Sequence, residues 1–292
     1  MGPVPRSLYI SSRDTNLGLC VMNLAPVDLD FISELLKRKA SIVLGREKAY
    51  LIEARLSRVA RDAKLASTRE LVDRIRRHDR RLEEAVVEAM LTHETSFFRD
   101  RHPFDALRRT VLPRLIESRA SSRTLSIWSA ACSSGQEPYS LAMLLLDAFP
   151  ELGRWKVVIH ATDLSTSVLK KAQSGRYTQL EVGRGLPPGY AQRYFRRDGM
   201  DYVIAPEVRR MISFQQCNLM GPWPSLPQLD VIFLRNVMIY FNGVTKESIL
   251  RKMHRILHPD GRLFLGSTEN IQGMDSYFER EAIGGSVCFK RK

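Results

Sequence analysis

The feature that most constrains the fold is a change of sequence pattern near residue 124. Before it, apolar residues recur at helical spacing over roughly residues 28–118, and strand patterns are nearly absent. After it, short apolar runs typical of buried strands alternate with helical patterns, as in LSIWS (125–129), VVIHA (157–161) and DVIFL (230–234). Such alternation predicts an α/β fold with a largely parallel sheet. The chain of 292 residues is long enough for a helical unit and an α/β unit.

The helical unit is predicted to span residues 24–100, behind a polar, flexible tail at 1–23. We expect four helices, with their starts marked by Asp28 or Asp30, by residues near Arg46, by Ser67 or Thr68, and by Asp79. Residues 101–123 are predicted to form a linker helix and a polar joint, and Pro113 is expected to kink or break that helix.

The α/β unit is predicted to span residues 124–292. Within it, the alternation fails over 186–211, where turn residues and short hairpin patterns indicate a small inserted β-subdomain. The final strand pattern, at 286–289, follows the one at 263–265 without the length of a crossover helix. We therefore expect the final strand to be antiparallel to its neighbour.

A loop of very small residues joins the first strand to the next helix in WSAACSSGQEPY (128–139). In open α/β sheets ligands bind beyond the carboxyl ends of the strands, where small residues and a helix N-terminus let a ligand approach the backbone. Gly135 is the loop's only glycine, which argues against a pyrophosphate cradle and against NAD. An ordinary strand–helix turn is an equally weighted interpretation of this motif alone.

Polar residues also follow two later strands. Asp163 ends the second strand, where an acid can accept both hydroxyls of a ribose, although a helix cap is the alternative role. Asn218 and Leu219 follow ISFQQC and could bracket an adenine, whereas a plain loop asparagine is favoured if this pair is taken alone. With the first loop, Asp163 indicates a cofactor that contains a nucleoside.

Two further motifs border the same region. FLRNVMIYF (233–241) leaves a buried strand, and Asn236 and Tyr240 are its residues best suited to chemistry. HETSFFRD (93–100) lies at the junction of the two units, where ligand clefts are favoured. A helix end with two core phenylalanines is the alternative interpretation of that segment.

Together these motifs resemble the CheR family, the chemotaxis receptor glutamate O-methyltransferases. HETSFFRD, WSAACSSGQEPYSLAMLL, ATDLSTSVLKKAQSGRY, NL and RNVMIYF occur in the family's order, and the resemblance covers about residues 28–292. The family usually has Asn where this chain has His93. The resemblance implies a doubly wound domain like those of methyltransferases dependent on S-adenosylmethionine (SAM), an N-terminal helical domain and an inserted β-subdomain.

The resemblance also implies a cofactor and its contacts. SAM would be the methyl donor and S-adenosylhomocysteine (SAH) the product. Carried over position by position, the cofactor-binding residues are His93, Thr95, Arg99, Glu137, Asp163, Asn218, Leu219, Asn236 and Val237. The implied acceptors are glutamates on the cytoplasmic helices of methyl-accepting chemoreceptors.

Methyl transfer to a glutamate needs little acid–base chemistry. A glutamate side chain has a pKa near 4.3, so it is already a nucleophile at neutral pH and needs no general base. We therefore assign Arg99 and Tyr240 to orienting the acceptor carboxylate. No metal is expected, because the cysteines are far apart and His254 and His258 lack a third ligand.

The formal charge of +13 predicts an anionic partner. Twelve basic and six acidic residues lie between Arg46 and Arg81, so we expect Arg55 and Arg58 to dock acidic receptor helices, with 186–211 as the next candidate surface. A solvated helix face is the alternative.

Other features favour a cytoplasmic monomer that meets the membrane only through its receptors and binds no nucleic acid. The sequence shows neither a signal peptide nor a membrane span. Two other functions stay open: methylation of nucleic acid, which the charge favours but which lacks an Asn/Asp-Pro-Pro-aromatic turn, and non-catalytic SAM binding in a signalling adaptor.

Overall fold

A computed structural model describes residues 24–42, 48–271 and 273–292 of the chain. The predicted tail at 1–23 and the expected start of the second helix near Arg46 lie outside the described residues. None of the described helices has the length and apolar character needed to cross a bilayer.

In the described part of the N-terminal region, four helices share one apolar core. They are α1 (Pro26–Ala40), α2 (Ala49–Asp62), α3 (Thr68–Arg76) and α4 (Arg80–Met90).

The starts of these helices confirm two of the predicted caps and correct one. The Ser67 hydroxyl accepts from the backbone of Glu70 at 3.1 Å, and Asp79 accepts from that of Leu82 at 3.2 Å. The predicted cap of α1, Asp28 or Asp30, is wrong, because this helix starts at Pro26 without a side-chain cap. Proline is suited to the first helical position, where an N–H would have no partner. Asp28 instead pairs with Arg76 of α3 at 2.8 Å.

The linker is continuous helical backbone. It comprises α5 (His102–Ala106), a π-helical turn (Leu107–Val111) and α6 (Leu112–Ser118). The helix therefore does not break at Pro113, and the kink expected there stays a prediction. A π turn shifts the hydrogen-bond pattern, and here it directly precedes the residue that has no N–H to donate.

The rest of the chain alternates strands and helices. In chain order they are β1 (Thr124–Ala130), α7 (Gln136–Ala148), β2 (Lys156–Asp163), α8 (Thr166–Ser174), β3 (Arg176–Thr178), α9 (Gln179–Gly183), α10 (Tyr190–Tyr194), β4 (Phe195–Asp198), β5 (Asp201–Ile204), α11 (Pro206–Arg209), β6 (Ile212–Gln216), β7 (Leu229–Leu234), α12 (Gly243–Ile256), β8 (Leu257–Leu265), β9 (Phe278–Ile283) and β10 (Ser286–Arg291).

Among the described residues, seven strands form the main sheet in the order β6-β2-β1-β7-β8-β10-β9. The first five are parallel, and β10 is antiparallel to both β8 and β9. The predicted α/β class and the antiparallel final strand are thus confirmed, whereas the edge strand β9 was not predicted. The chain moves outward from β1 to β2 and β6 and then returns to β7. That reversal opens a crevice beyond the carboxyl ends of β1 and β7.

Both faces of the main sheet are buried. On β7, Val231 and Phe233 face the core that includes α6 and α7, whereas Ile232 and Leu234 face the core that includes α12. This alternation between two apolar faces is the arrangement of a doubly wound sheet.

A second sheet has the order β3-β5-β4 and is antiparallel. Strands β4 and β5 fall within the expected insertion at 186–211, but β3 precedes residue 186, so this sheet begins ten residues earlier than expected. The chain then returns to the main sheet at β6. The division of the chain into 24–100, 101–123 and 124–292 stays a prediction.

Candidate functional site

A cavity of about 510 Å³ lies beyond the carboxyl ends of β1, β2, β6 and β7. The helical region closes it from the other side with residues of α1, α2 and α4. Its volume is within the range of small-molecule sites. Every residue that the sequence assigned to binding the cofactor or to orienting the acceptor carboxylate lines it: His93, Thr95, Arg99, Glu137, Asp163, Asn218, Leu219, Asn236, Val237 and Tyr240.

The backbone conformation of the turn after β1 explains why this turn consists of small residues. Ala131 and Ser133 have positive φ angles of 56° and 51°, and Gly135 has a φ of 93°. A Cβ on Gly135 would also lie 2.8 Å from the Cβ of Ala172 in α8. Only glycine meets both demands at position 135. The turn places Ala131, Cys132 and Ser133 against the cavity.

Asp163 is 8% exposed and lies at the tip of β2. Its Oδ2 accepts from the backbone N of Ser133 at 2.8 Å, and its Oδ1 accepts from that of Ser165 at 2.9 Å. Burial raises the pKa of Asp163, and the two backbone N–H groups partly oppose that rise. Because each carboxylate oxygen can accept a second hydrogen bond, both oxygens retain capacity for ligand hydroxyls.

Glu137 and Arg235 form a buried ion pair beside the cavity, with Nη1 of Arg235 2.9 Å from Oε2 of Glu137. The Ser129 hydroxyl donates to Oε1 of Glu137 at 2.8 Å. The Arg235 side chain is 1% exposed, and its Nε has no hydrogen-bond partner among the residues that the structure describes. Sequence reasoning assigned no role to Arg235.

Arg235 also holds the segment that carries Arg99. Its Nη2 donates to the carbonyl oxygen of Arg99 at 2.9 Å and to Asp100 at 2.7 Å. Phe98, Asp100 and Arg101 all have positive φ, a conformation that non-glycine residues adopt only when surrounding contacts enforce it. The Arg99 guanidinium donates to the carbonyl oxygen of Glu94 at 2.8 Å and lines the cavity.

Glu269 organises the loop after β7. Its carboxylate accepts from the backbone N of Asn236 at 2.8 Å, of Val237 at 2.9 Å and of Gly266 at 2.7 Å. Asn236 has a positive φ of 59°. Sequence reasoning missed Glu269, because the contacts that reveal its role are 32 and 33 residues away along the chain.

Asn218 ties the loop after β6 to the helical region. Its Nδ2 donates to the carbonyl oxygen of Lys39 in α1 at 2.9 Å, and its Oδ1 accepts from the backbone N of Met220 at 3.0 Å. Leu219 is buried beside it. This edge of the cavity therefore offers an apolar wall next to a fixed amide.

His93 and Tyr240 line the cavity in two different settings. The carbonyl oxygen of His93 accepts from the Ser133 hydroxyl at 3.0 Å, which fastens the junction segment to the turn after β1. Tyr240 is 37% exposed and stands at the mouth beside the exposed Ile239.

Arg55 and Arg58, predicted to share an exposed docking side of α2, have different surroundings. Arg55 is partly buried, lines the cavity and donates to the carbonyl oxygens of Met90 at 2.7 Å and Leu91 at 3.4 Å. It thereby satisfies the C-terminal end of α4. The Arg58 side chain is 81% exposed, and within the described part of the chain its one ion-pair contact is loose, 3.9 Å from Asp62.

The two histidines considered as metal ligands do not lie on one helix. His254 is in α12, where its ring packs edge-on against Tyr277 and Phe278, and His258 is in β8. Across residues 24–42, 48–271 and 273–292, no group of three or more His, Cys, Asp or Glu side chains has metal-binding geometry.

The cavity combines groups that a nucleoside with a cationic, amino-acid-bearing substituent requires. Asp163 suits vicinal hydroxyls, Glu137 suits an ammonium group, and Leu219 and Val237 give apolar contacts to a ring. Arg99 supplies a cation for a carboxylate. The residues present therefore fit SAM.

Comparisons with known proteins agree with this geometry. The family model described as "CheR methyltransferase, SAM binding domain" matches residues 93–284, and "CheR methyltransferase, all-alpha domain" matches residues 27–91. "Chemotaxis protein methyltransferase 1" of Pseudomonas aeruginosa is 41% identical over 276 residues, which are 93% of this chain and 100% of that relative.

Two further relatives match this chain over most of their length. "Chemotaxis protein methyltransferase Cher2" of Pseudomonas putida is 38% identical over 93% of this chain and 100% of its own length. "Chemotaxis protein methyltransferase" of Escherichia coli is 36% identical over 85% of each chain.

Proposed function

The chain belongs to the CheR methyltransferase family and is a SAM-dependent methyltransferase, and we propose that it methylates glutamate side chains on the cytoplasmic helices of chemoreceptors. The observation that carries the proposal is the single cavity that gathers all ten predicted site residues from segments spread over 148 positions, from His93 to Tyr240. The relatives' names place their activity in chemotaxis, which supports chemoreceptors as the acceptors.

In this proposal different residues around the cavity bind different parts of the cofactor. Asp163 accepts the ribose hydroxyls, Glu137 receives the ammonium group, and Asn218 with Leu219 borders the adenine. His93, Thr95, Arg99, Asn236 and Val237 complete the contacts. When bound, SAM supplies an electrophilic methyl group on a sulfonium, and SAH is the product.

The catalytic contribution of the protein is positioning. An ionised acceptor glutamate needs no base, so Arg99 and Tyr240 orient its carboxylate at the cavity mouth. Arg99 is held by Glu94 and by the Arg235-supported backbone, which fixes the direction of its guanidinium. An over-strong pairing with the carboxylate would stabilise the ground state as much as the transition state, so Arg99 serves best as a guide.

The docking surface in this proposal is the exposed, basic side of α2 near the cavity. Arg58 and Arg61 are exposed on this helix, while Arg55 is assigned to the support of α4. A surface of net positive charge near the cavity would steer acidic receptor helices toward it and raise the association rate. The proposal places the protein in the cytoplasm as a monomer that meets the membrane only through its receptors.

Incubation with methyl-labelled SAM and the organism's own chemoreceptors tests the function. We expect base-labile label on the receptors, the signature of a carboxyl ester. Label on RNA would indicate a nucleic-acid methyltransferase, and SAM binding without transfer to any receptor would indicate an adaptor.

The same assay tests the positioning role of Arg99. Arg99→Ala should lower turnover by about tenfold to a hundredfold with receptor and SAM saturating, because misplaced reactants lose the benefit of alignment. Arg109→Ala, at an exposed position of the linker, is the matched control. Wild-type turnover in Arg99→Ala would remove Arg99 from the mechanism.

A further inference from the structure

Glu88 connects the helical region to the turn that carries Asp163. It lies on α4, and its Oε1 accepts hydrogen bonds from the hydroxyls of Ser165 and Ser167 at the start of α8. These partners are 77 and 79 residues away along the chain.

Ser165 transmits this contact directly to the carboxylate. Its side chain is fully buried, and its hydroxyl also accepts from the backbone N of Val168 at 3.2 Å, which caps α8. Its backbone N donates to Oδ1 of Asp163 at 2.9 Å. Ser165 therefore hydrogen-bonds to Glu88 through its side chain and orients Asp163 through its backbone N–H.

A second hydrogen bond also joins the α/β region to the helical region. Asn218 donates to the carbonyl oxygen of Lys39 at the end of α1. The two loops assigned to the ribose and the adenine are thus both fastened to the helical region. Leu164, between Asp163 and Ser165, packs against the core of that region.

We propose that Glu88 is a positioning residue of the cofactor site, which fixes the Ser165 turn from the helical region and so aligns Asp163 with the ribose. The proposal rests on the proposed role of Asp163. It makes SAM affinity depend on the contact between the two regions. By linkage, cofactor binding strengthens that contact to the same extent.

The length of the side chain distinguishes positioning from a purely electrostatic role. Glu88→Asp keeps the charge but is one methylene shorter, so it no longer reaches both serines. Glu88→Gln keeps the length and an acceptor oxygen but loses the charge. If Glu88 acts by position, Glu88→Asp loses affinity and Glu88→Gln retains it. If it acts only by charge, the order is reversed.

Calorimetric titration of the full chain with SAH measures the difference. We expect Glu88→Asp to raise the Kd by about threefold to tenfold, as the loss of about one hydrogen bond predicts, and Glu88→Gln to stay within about twofold of wild type. Glu84→Asp, at an exposed position of the same helix, should leave the Kd unchanged. Equal affinities of wild type and Glu88→Asp would overturn the proposal.

A double-mutant cycle tests the route through Asp163. The loss caused by Glu88→Asp should shrink when Asp163→Asn is already present, because the two residues act as one unit. An undiminished loss in that background would overturn the proposal, even if Asp163 alone proves essential. Failure of the wild-type protein to bind SAH would instead contradict the cofactor assignment itself.

Discussion

The helical region and the α/β region use charge in opposite ways. In the helical region the basic excess is at the surface, as in Arg58, whose side chain is 81% exposed. In the α/β region the charges nearest the chemistry are buried: residue Asp163 is 8% exposed, and the side chain of Arg235 is 1% exposed. Exposed pairs contribute only about 0–1 kcal/mol each, whereas removing one partner of a buried pair costs about 3–5 kcal/mol.

This difference matches two different tasks. Buried charges with fixed partners keep their geometry when a ligand arrives, so little reorganisation is needed at the site. Exposed charges act at a distance on an approaching partner and are screened by salt. For substitutions in the α/β region, the comparison predicts large changes in cofactor affinity or stability that do not depend on salt. For substitutions on the surface of the helical region, it predicts small changes in the methylation rate that depend on salt.

The largest effect is expected at Asp163. Asp163→Ala removes two charge-assisted hydrogen bonds to the ribose, each worth roughly 1.5–3 kcal/mol, so the Kd for SAH should rise by more than about a hundredfold. Calorimetry measures this, and Asp198→Ala in the exposed β4 is the control. An unchanged Kd in Asp163→Ala would show that Asp163 does not bind the ribose. It would also contradict the expectation that buried charges near the site have the largest effects.

The next effect is on stability. Arg235→Met leaves Glu137 buried without its cation and frees the strained segment around Arg99, so the free energy of unfolding should fall by about 3 kcal/mol. Urea denaturation checks this value. Arg176→Met, which breaks an exposed pair with Asp198 in the second sheet, should cost far less. Equal losses in the two variants would show that burial does not set the cost.

The sequence predicts those parts of the site that are coupled to local patterns. Asp163, Asn218 and Asn236 follow strands, and the carboxyl ends of parallel strands meet at one edge of a sheet. The α/β class and the antiparallel final strand follow from the same alternation of strands and helices.

The parts that were missed depend on contacts between distant residues. Glu269 and Glu88 lie in segments with no ligand motif, and only the folded chain brings them to backbone or serine partners. Strand β9 carries mainly exposed residues and charges, so it lacks the apolar run of a buried strand. Arg55 differs from Arg58 because it can reach the end of α4, which helical periodicity does not reveal.

The pH dependence of cofactor binding sharpens the contrast between buried and exposed acids. The charged form of Asp163 accepts the ribose hydroxyls, and burial raises its pKa above the usual 3.8. Affinity for SAH should therefore be full above that raised pKa and fall as pH drops through it, by about tenfold per pH unit below. Asp198 is the exposed acid for comparison, because hydrogen bonding to Arg176 lowers its pKa.

Titrations with SAH from pH 7 downward measure this dependence, with circular dichroism at each pH to confirm that the protein stays folded. The Asp163→Asn variant should lose the dependence. Affinity that is constant down to the usual carboxyl range would show that burial does not raise the pKa of Asp163 enough to affect the ligand.

The smallest effect is expected on the exposed side of α2. Charge reversal in Arg58→Glu with Arg61→Glu should lower receptor methylation by about twofold to tenfold at low salt, because several weak contacts act together in steering. At about 0.15 M ionic strength, where the Debye length is about 8 Å, the difference should shrink. Affinity for SAH should not change, since neither residue lines the cavity.

Arg55→Glu is the informative comparison for this last prediction. It places a carboxylate against the carbonyl oxygens of Met90 and Leu91, so it should lower thermal stability as well as methylation, and salt should not restore either. Initial rates at several salt concentrations, with melting curves for each variant, separate the two kinds of loss. If Arg58→Glu with Arg61→Glu keeps wild-type rates at every salt concentration, that side of α2 is only solvated surface. Docking would then have to use another part of the chain, and the second sheet with its exposed arginines is the next surface to reverse.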